Sequence, residues 1–454
     1  MFETLRSIVS SITAGYADIR YECKSETKIA FQGRELFHVG SNTTDGFVIR
    51  VLQNGGLSSI AFTRRSDAER AVQTARDNAL LMSEHTHKPI SFAETEVIRE
   101  TFQPPLTEDP RKLSIDEKLL IIRHYNSIPL RYEKIVTTFL QYNETIREKY
   151  FVSTEGTELR EDLVTTTLSG LITSKEGSLT QNVRVAAGGS GGFTVLRHRE
   201  DEFERKSKIA LDLLHAKPVA GGVYNVVLNQ DMAGVFTHEA FGHFSEADLI
   251  EDTPSMRERM HLGSQLGNEV LNITDDPTLP GQLGFYKYDD EGVRSRPTPL
   301  MKQGVLVGRL HSRRTAAAFA EALTGHCIAE DYRFSPIIRM GNIFIEPGQH
   351  TLNELLLMLG NGLYILDAKG GQTSGENFTF GAQYGYLVKD GRLDTMVRDI
   401  NISGNLYQTL MNITGVGNDL EFCQVGGCGK GQLNIRSCHG GPHILVQNVV
   451  LGGI

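Results

Sequence analysis

Apolar and polar residues follow two periods along the chain, one strand-like and one helix-like, and the two divide it into three stretches. In the first, Leu5, Ile8, Val9 and Ile12 fall at helical spacing and predict an amphipathic helix over about 2–14. Residues 19–23, 28–32 and 36–39 alternate as strands do. Residues 46–52 and 57–62 predict a hairpin, because Asn54-Gly55 between them supplies the positive φ that a tight turn needs. Ser66-Asp67-Ala68-Glu69 reads as a capping box that opens a helix running to about Met82, with Ala71, Ala75, Ala79 and Leu80 as its packing face.

Residues 85–109 are polar and broken by Pro89, Pro104 and Pro105, so they read as a connection. Beyond them Ser114 and Glu117 cap another helix. Strands over 135–140, 145–154, 163–173 and 181–185 follow, parted by Asn143, Glu155-Gly156 and Glu176-Gly177. Such short connections predict an antiparallel meander. Residues 188–192, Gly-Gly-Ser-Gly-Gly, read as a flexible loop, and a weak phosphate cradle because no Lys-Ser/Thr follows. A helix is predicted over 201–216. From 223 the chain turns Gly-rich and strand-rich, with helices expected only near residue 240, over 312–323 and over 351–360. The expected class is α+β. Two N-terminal α/β units with mixed or antiparallel sheets, 1–90 and 111–222, precede a β-rich lobe, 223–454.

Composition narrows the function. Among 454 residues, 40% are hydrophobic and 22% charged, which is globular. Lys plus Arg is 46 against 55 for Asp plus Glu, a net charge of −9, and no basic run exceeds a pair. Phosphate backbones are held by clustered cations, so direct nucleic-acid binding has no electrostatic support. The five cysteines, an odd number, argue against a disulfide framework and for a reducing compartment. The first apolar stretch is short, broken by serines and preceded by Glu3, so it reads as an ordinary helix rather than a signal peptide. No apolar run reaches the roughly 18–20 residues of a membrane span. A cytoplasmic protein without membrane partners is expected.

The candidate chemistry is concentrated in His238-Glu239-Ala240-Phe241-Gly242-His243, followed by Glu246 and Asp248. It comes just after a predicted strand over 223–229. Two imidazoles beside a carboxylate suit a metal ion with a general base at Glu239. The imidazoles are five residues apart, however. On a regular helix that spacing leaves them about 140° apart, too far round to share an ion. A π-bulge would restore the facing, and Gly242 lowers the cost of such a distortion. A third ligand is needed. It is either Glu246 or a thiolate from the C-terminal stretch, where Cys428 lies between glycines. Cys423, Cys438, His439 and His443 also crowd that stretch, so a separate structural zinc site ranks second. Glu246 or Asp248 is expected to orient a ligand imidazole, and Arg339 or Asn342 to steady an oxyanion.

These residues resemble the H-E-x-x-x-H signature of the TldD/PmbA family. The resemblance continues through Asp289-Asp290-Glu291-Gly292, Arg339-Met340-x-Asn342, Gly370-Gly371-Gln372, Val416-Gly417-Asn418-Asp419-Leu420, Cys428-Gly429-Lys430-x-Gln432 and Leu451-Gly452-Gly453. It spans nearly the whole chain and is strongest from 223 on. It implies a cytoplasmic metalloprotease of a family also labelled modulators of DNA gyrase. His238, His243 and Cys428 would then be the metal ligands, Glu239 the base, and zinc the expected ion. The substrate would be an unfolded or extended peptide, added as a strand to a sheet edge. The expected partner is a second copy or a relative lacking the motif. A competing class is a non-catalytic subunit that modulates a protease, a topoisomerase or a toxin–antitoxin system; the intact motif weighs against it.

Overall fold

The computed structural model describes residues 1–12 and 15–452. The predicted end of the first helix, at residue 14, and Gly453 of the closing motif lie outside the described residues. The observed first helix is Phe2–Val9.

The N-terminal half is built on one seven-stranded sheet. Its order is Gly56–Phe62, Glu35–Gln53, Tyr16–Gln32, Ile135–Ser153, Glu158–Glu176, Arg99–Phe102, with Leu179–Gly189 also pairing to Glu158–Glu176. The gap expected between residues 90 and 111 therefore does not separate two sheets. Strand Tyr16–Gln32 pairs with Ile135–Ser153 over its length, Ile19 opposite Val152 and Phe31 opposite Leu140. The predicted short strands fuse into long ones. Asn143, expected to break a strand, sits inside one, opposite Lys28 and Thr167. Polar stretches such as 24–28 stay extended because both neighbours satisfy their backbone groups, and hydroxyl pairs Ser25–Thr43 (2.9 Å) and Thr27–Ser41 (3.0 Å) cross the strands. Gly188 and Gly189, expected in a loop, are paired with Thr167 and Thr166.

The hairpin turn at Asn54-Gly55 forms as expected, with φ of 52° and 83°. The helix after it runs Ala68–His85 and buries Ala71, Ala75 and Ala79 against Ile19, Ile49 and Val51. Its expected capping box does not form: a 3₁₀ turn over Arg65–Asp67 leads into it, and Asp67 makes no side-chain cap. The Ser114–Glu117 box does form. Helices Ile115–Ser127 and Glu200–Asp212 cover a second core around Tyr142, Leu168 and Phe193.

The C-terminal half holds a six-stranded and an eight-stranded sheet. Strand Gly222–Leu228 lies in the larger, parallel to Gly362–Ser374 and antiparallel to Ile444–Gly452. The smaller contains Asn342–Ile345 and Cys438–Gly441, paired parallel. Their shared core joins Leu228, Met232, Phe236, Phe241, Ile343 and Phe380, all nearly solvent-free. Short helices at Ala247–Glu251, Pro254–Arg259 and Leu406–Met411 are absent from the periodicity reading; none is long enough to show a repeat. No described helix is long and apolar enough to cross a membrane.

Buried charges join the halves. Arg50 holds Asp18 of its own sheet and Glu291 of the C-terminal half (2.8 Å). Lys149 reaches Asp290 at 3.0 Å, and Arg20 lies 3.5 Å from the same carboxylate. Burial opposes ionisation of Asp290, but Arg20, Lys149 and Arg147 outweigh it and hold the carboxyl far below the usual range. Unfolded, an Asp titrates near ~3.9, so the stabilisation from this group is complete above that pH and is lost as pH falls toward its lower folded value. Asp290→Asn leaves Arg20 buried without its anion and Lys149 with Glu161 alone. It is expected to cost about 3–5 kcal/mol in urea unfolding at neutral pH. The loss of stability from about pH 5 to 3 should also be shallower than in the parent chain.

Candidate metal centre

Asn229 follows strand Gly222–Leu228 and caps the helix after it, its side chain accepting the Met232 N–H at 3.1 Å. Gln230–Phe236 is α-helical; Thr237–Phe241 then winds as a π-turn and Gly242–Ser245 as a 3₁₀ turn. The distortion expected from the five-residue spacing is present. Its relation to Gly242 differs from the expectation. Gly242 has an ordinary helical backbone, φ −57° and ψ −45°. Glycine is needed for room: a Cβ there would lie 2.1 Å from the Met340 sulfur and 3.0 Å from Ile343.

The altered winding turns both imidazoles to one side, ring centres 5.3 Å apart. The Cys428 sulfur joins them, 3.4 Å from His243 Nε2. One donor atom from each of His238, His243 and Cys428 lies within 4.8 Å of the others. Glu246 does not take the third position. It is fully buried behind His243, its Oε2 3.6 Å from Nδ1. Glu239 Oε2 stands 3.9 Å from His243 Nε2 on the open side, its side chain 31% exposed. Thr373 of strand Gly362–Ser374 donates to the Glu239 carbonyl at 3.1 Å.

Burial pulls the His238 pKa well down, helped by the cationic neighbours His439, His243 and Arg339. The ring is therefore neutral and keeps a lone pair. Its Nδ1 is buried with no hydrogen-bond partner. For His243 burial acts the same way, but the hydrogen bond to Cys428 and the neighbouring Glu246 carboxylate outweigh it and push the pKa up to about 9. Burial would neutralise Glu246, yet His243, Lys430 and Arg339 keep its carboxyl below the usual range.

Lys430 had no assigned role in the sequence reading. Its ammonium lies 2.7 Å from Glu246 and 2.9 Å from Asp248, tying the Cys428 loop to the segment after His243. Its place two residues beyond Cys428 was the available signal. Asp248 is thus anchored to Lys430 rather than to an imidazole. Neither expected oxyanion group reaches the open side. Arg339 is fully buried facing Glu246 at 3.6 Å. Asn342 is committed to the Asp276 carbonyl (2.7 Å) and the Gly284 N–H (2.9 Å). The second-ranked zinc site does not assemble either. His443 turns away to Asp419 and Tyr364, and among the described residues the three-donor group is His238, His243 and Cys428.

Models of the PmbA/TldA metallopeptidase family match in order: domain 1 over residues 17–79, the central domain over 108–217 and the C-terminal domain over 221–453. A metalloprotease of Synechocystis is 34% identical over 97% of this chain and 95% of its own. The chain belongs to the PmbA/TldD family. A zinc metalloprotease TldD homologue of Saccharolobus solfataricus is 28% identical, with both chains covered in full. The crystal structure of a modulator of a DNA gyrase from Thermotoga maritima matches with a TM-score of 0.81 at 20% identity, covering 99% of each chain. TldE from Thermococcus kodakarensis matches with a TM-score of 0.81 at 17% identity, covering 100% of each. At those identities the likeness speaks for the fold, which is the α+β class expected from the pattern.

The donor set fits a zinc-like ion. Two imidazole nitrogens and a thiol sulfur are the ligand types that borderline-soft metals take, and the orphaned Nδ1 marks His238 as a group with an unmet partner. Gly242→Ala should overpack the Met340 contact. The expected cost is about 1–3 kcal/mol, read as a lower urea midpoint at unchanged slope. Equal stability of the two proteins would show that Met340 yields without cost.

Proposed function

We propose that this chain is a metal-dependent peptidase acting on unfolded or extended peptides. The convergence of His238, His243 and Cys428 within 4.8 Å beside the part-exposed Glu239 carries the reading. The metalloprotease names of its relatives support it. His238, His243 and Cys428 would hold the ion, which is zinc by donor type. When bound, such an ion supplies Lewis acidity toward a carbonyl and makes water a better acid.

The rest of the chemistry falls to side chains. Glu239 Oε2 takes a proton from the attacking water and returns it to the leaving amine nitrogen. Glu246 holds His243 by Nδ1, which leaves Nε2 turned to the cluster. Lys430 and Arg339 keep Glu246 ionised for that task. The oxyanion donor is not Asn342, whose amide is already committed.

The substrate would lie on the strand edge next to Glu239. Strand Gly362–Ser374 pairs with Gly222–Leu228 only through residues 363–365, while 370–374 pair on their other side alone. That leaves a run of exposed backbone leading to Thr373, which touches Glu239. Main-chain pairing there would accept an extended peptide with little regard to sequence. The shared fold with TldE supports pairing with a chain of the same architecture, either a copy or a relative lacking the motif.

Glu239→Ala is expected to retain bound metal, measured by elemental analysis, and to lose peptide hydrolysis by about 10²–10⁴-fold. Undiminished cleavage would remove Glu239 from the mechanism. Cys428→Ser should lower metal occupancy at equal protein, and unchanged occupancy would pass the third position to another group.

A further inference from the structure

Two cysteines at the base of the Cys428 loop are used by nothing so far described. Cys423 follows strand Glu421–Phe422, and Cys438 opens strand Cys438–Gly441. The strands are antiparallel, Phe422 opposite Gly440. The ladder continues past them: the Cys423 N–H donates to the His439 carbonyl at 2.8 Å. The His439 N–H returns a bond to the Cys423 sulfur at 3.3 Å. Beside this bond the two Sγ atoms lie 3.2 Å apart, both as free thiols.

The two residues differ in exposure. Cys438 is fully buried, while Cys423 is partly exposed. Gly426 faces the Cys423 sulfur, and a Cβ there would lie 3.3 Å from it.

We propose that Cys423 and Cys438 form a reversible disulfide site, oxidised by low-molecular-weight disulfides. In the first step the Cys423 thiol loses its proton. Its sulfur attacks one sulfur of the reagent, and one thiolate leaves with the electron pair of the broken bond. The Cys438 thiol then loses its proton and attacks the Cys423 sulfur of the mixed disulfide. The second reagent thiolate leaves, and the two released thiolates take up the two protons. One reagent disulfide has become two thiols, and two protein thiols one disulfide. Closing from 3.2 Å to a bonded ~2.05 Å moves the sulfurs by about 1 Å.

The bond would close residues 424–437 into a covalent loop. That loop carries Cys428 and Lys430, so the thiol state of the pair governs how freely the cluster's sulfur moves. The bridge itself requires no metal, and its test does not depend on one. In a reducing compartment such a bond is transient, the usual form of a redox-responsive pair.

The test treats the purified full chain with oxidised glutathione, blocks remaining thiols and maps peptides without reductant. The expected product is a Cys423–Cys438 cross-link, absent after dithiothreitol, with the thiols counted after denaturation falling by two from the five free cysteines of the chain. Trypsin cleavage after Lys430 should leave the two sides joined until reduction. Cys438→Ser should trap glutathione on Cys423, and Cys428→Ser should still form the bridge. A stable glutathione adduct on Cys423 of the parent chain would overturn the proposal. So would a bridge that includes Cys428, or a pair that stays reduced while Cys23 reacts. These three outcomes are read on the unmutated protein, so they hold even where a variant fails to fold.

Discussion

A regular helix through residues 237–241 would turn His238 and His243 to different sides, about 140° apart. The π-turn over Thr237–Phe241 takes up the one residue in excess and brings the rings to 5.3 Å. Such a turn has weaker hydrogen bonding than an α-helix and survives only where its surroundings fix it. Here the surroundings are two sheets. Ala240 and Phe241 are solvent-free in the shared core, and Gly242 is pressed on Met340 with no room for a methyl. The core is therefore what selects the winding, and the winding selects which side chains meet.

The cluster combines opposite electrostatic demands within a few ångströms. His238 is driven neutral by burial, while His243 is held toward its charged form by Cys428 and Glu246. Glu246 is wholly buried and keeps its charge because His243, Lys430 and Arg339 face it. Removing Glu246 would leave Arg339 unpaired in a dry environment, which costs more than the pair contributes. This explains why Lys430 lies on the same loop as Cys428. The loop has little secondary structure of its own beyond the bridge of Cys428 to Ile435, and the lysine supplies the docking that backbone pairing does not.

Legibility in the sequence followed the range of the interaction. The hairpin turn at Asn54-Gly55 and the cap at Ser114 are local, and both were readable from a few residues. The capping box at Ser66 has the same local signature and yet fails, because a 3₁₀ turn enters that helix first. Strand lengths were misread wherever polar residues such as Ser25, Thr27 and Asn143 run inside a strand. Those residues are kept extended by partners distant in sequence, and periodicity carries no record of a partner. At the centre, residue types and spacing indicated a distorted helix, and that is legible because helical geometry is fixed. The committed amide of Asn342 and the enclosed guanidinium of Arg339 were not, since each depends on which face tertiary packing turns inward.

The N-terminal half also takes part in holding the centre, through a short series of contacts. Lys149 of the long sheet holds Asp290, and Asp290 accepts the Ala329 N–H at 2.8 Å. Arg147 of the same strand donates to the Ala329 carbonyl at 3.2 Å. The next residue, Glu330, accepts the N–H groups of Leu433 and Asn434 at 2.8 and 3.1 Å. Its own N–H is taken by Gln432 at 2.8 Å. The loop bearing Cys428 is thus fixed at one end by the strand pair at Cys423 and Cys438, in its middle by Lys430, and at its far side by a segment that the N-terminal sheet secures. A C-terminal half without that sheet would retain every residue of the cluster and would lose the three cations that face Asp290. The three parts of the chain accordingly form one supporting structure for three donor atoms, and the long paired strands at the start serve the geometry of the cluster near the end.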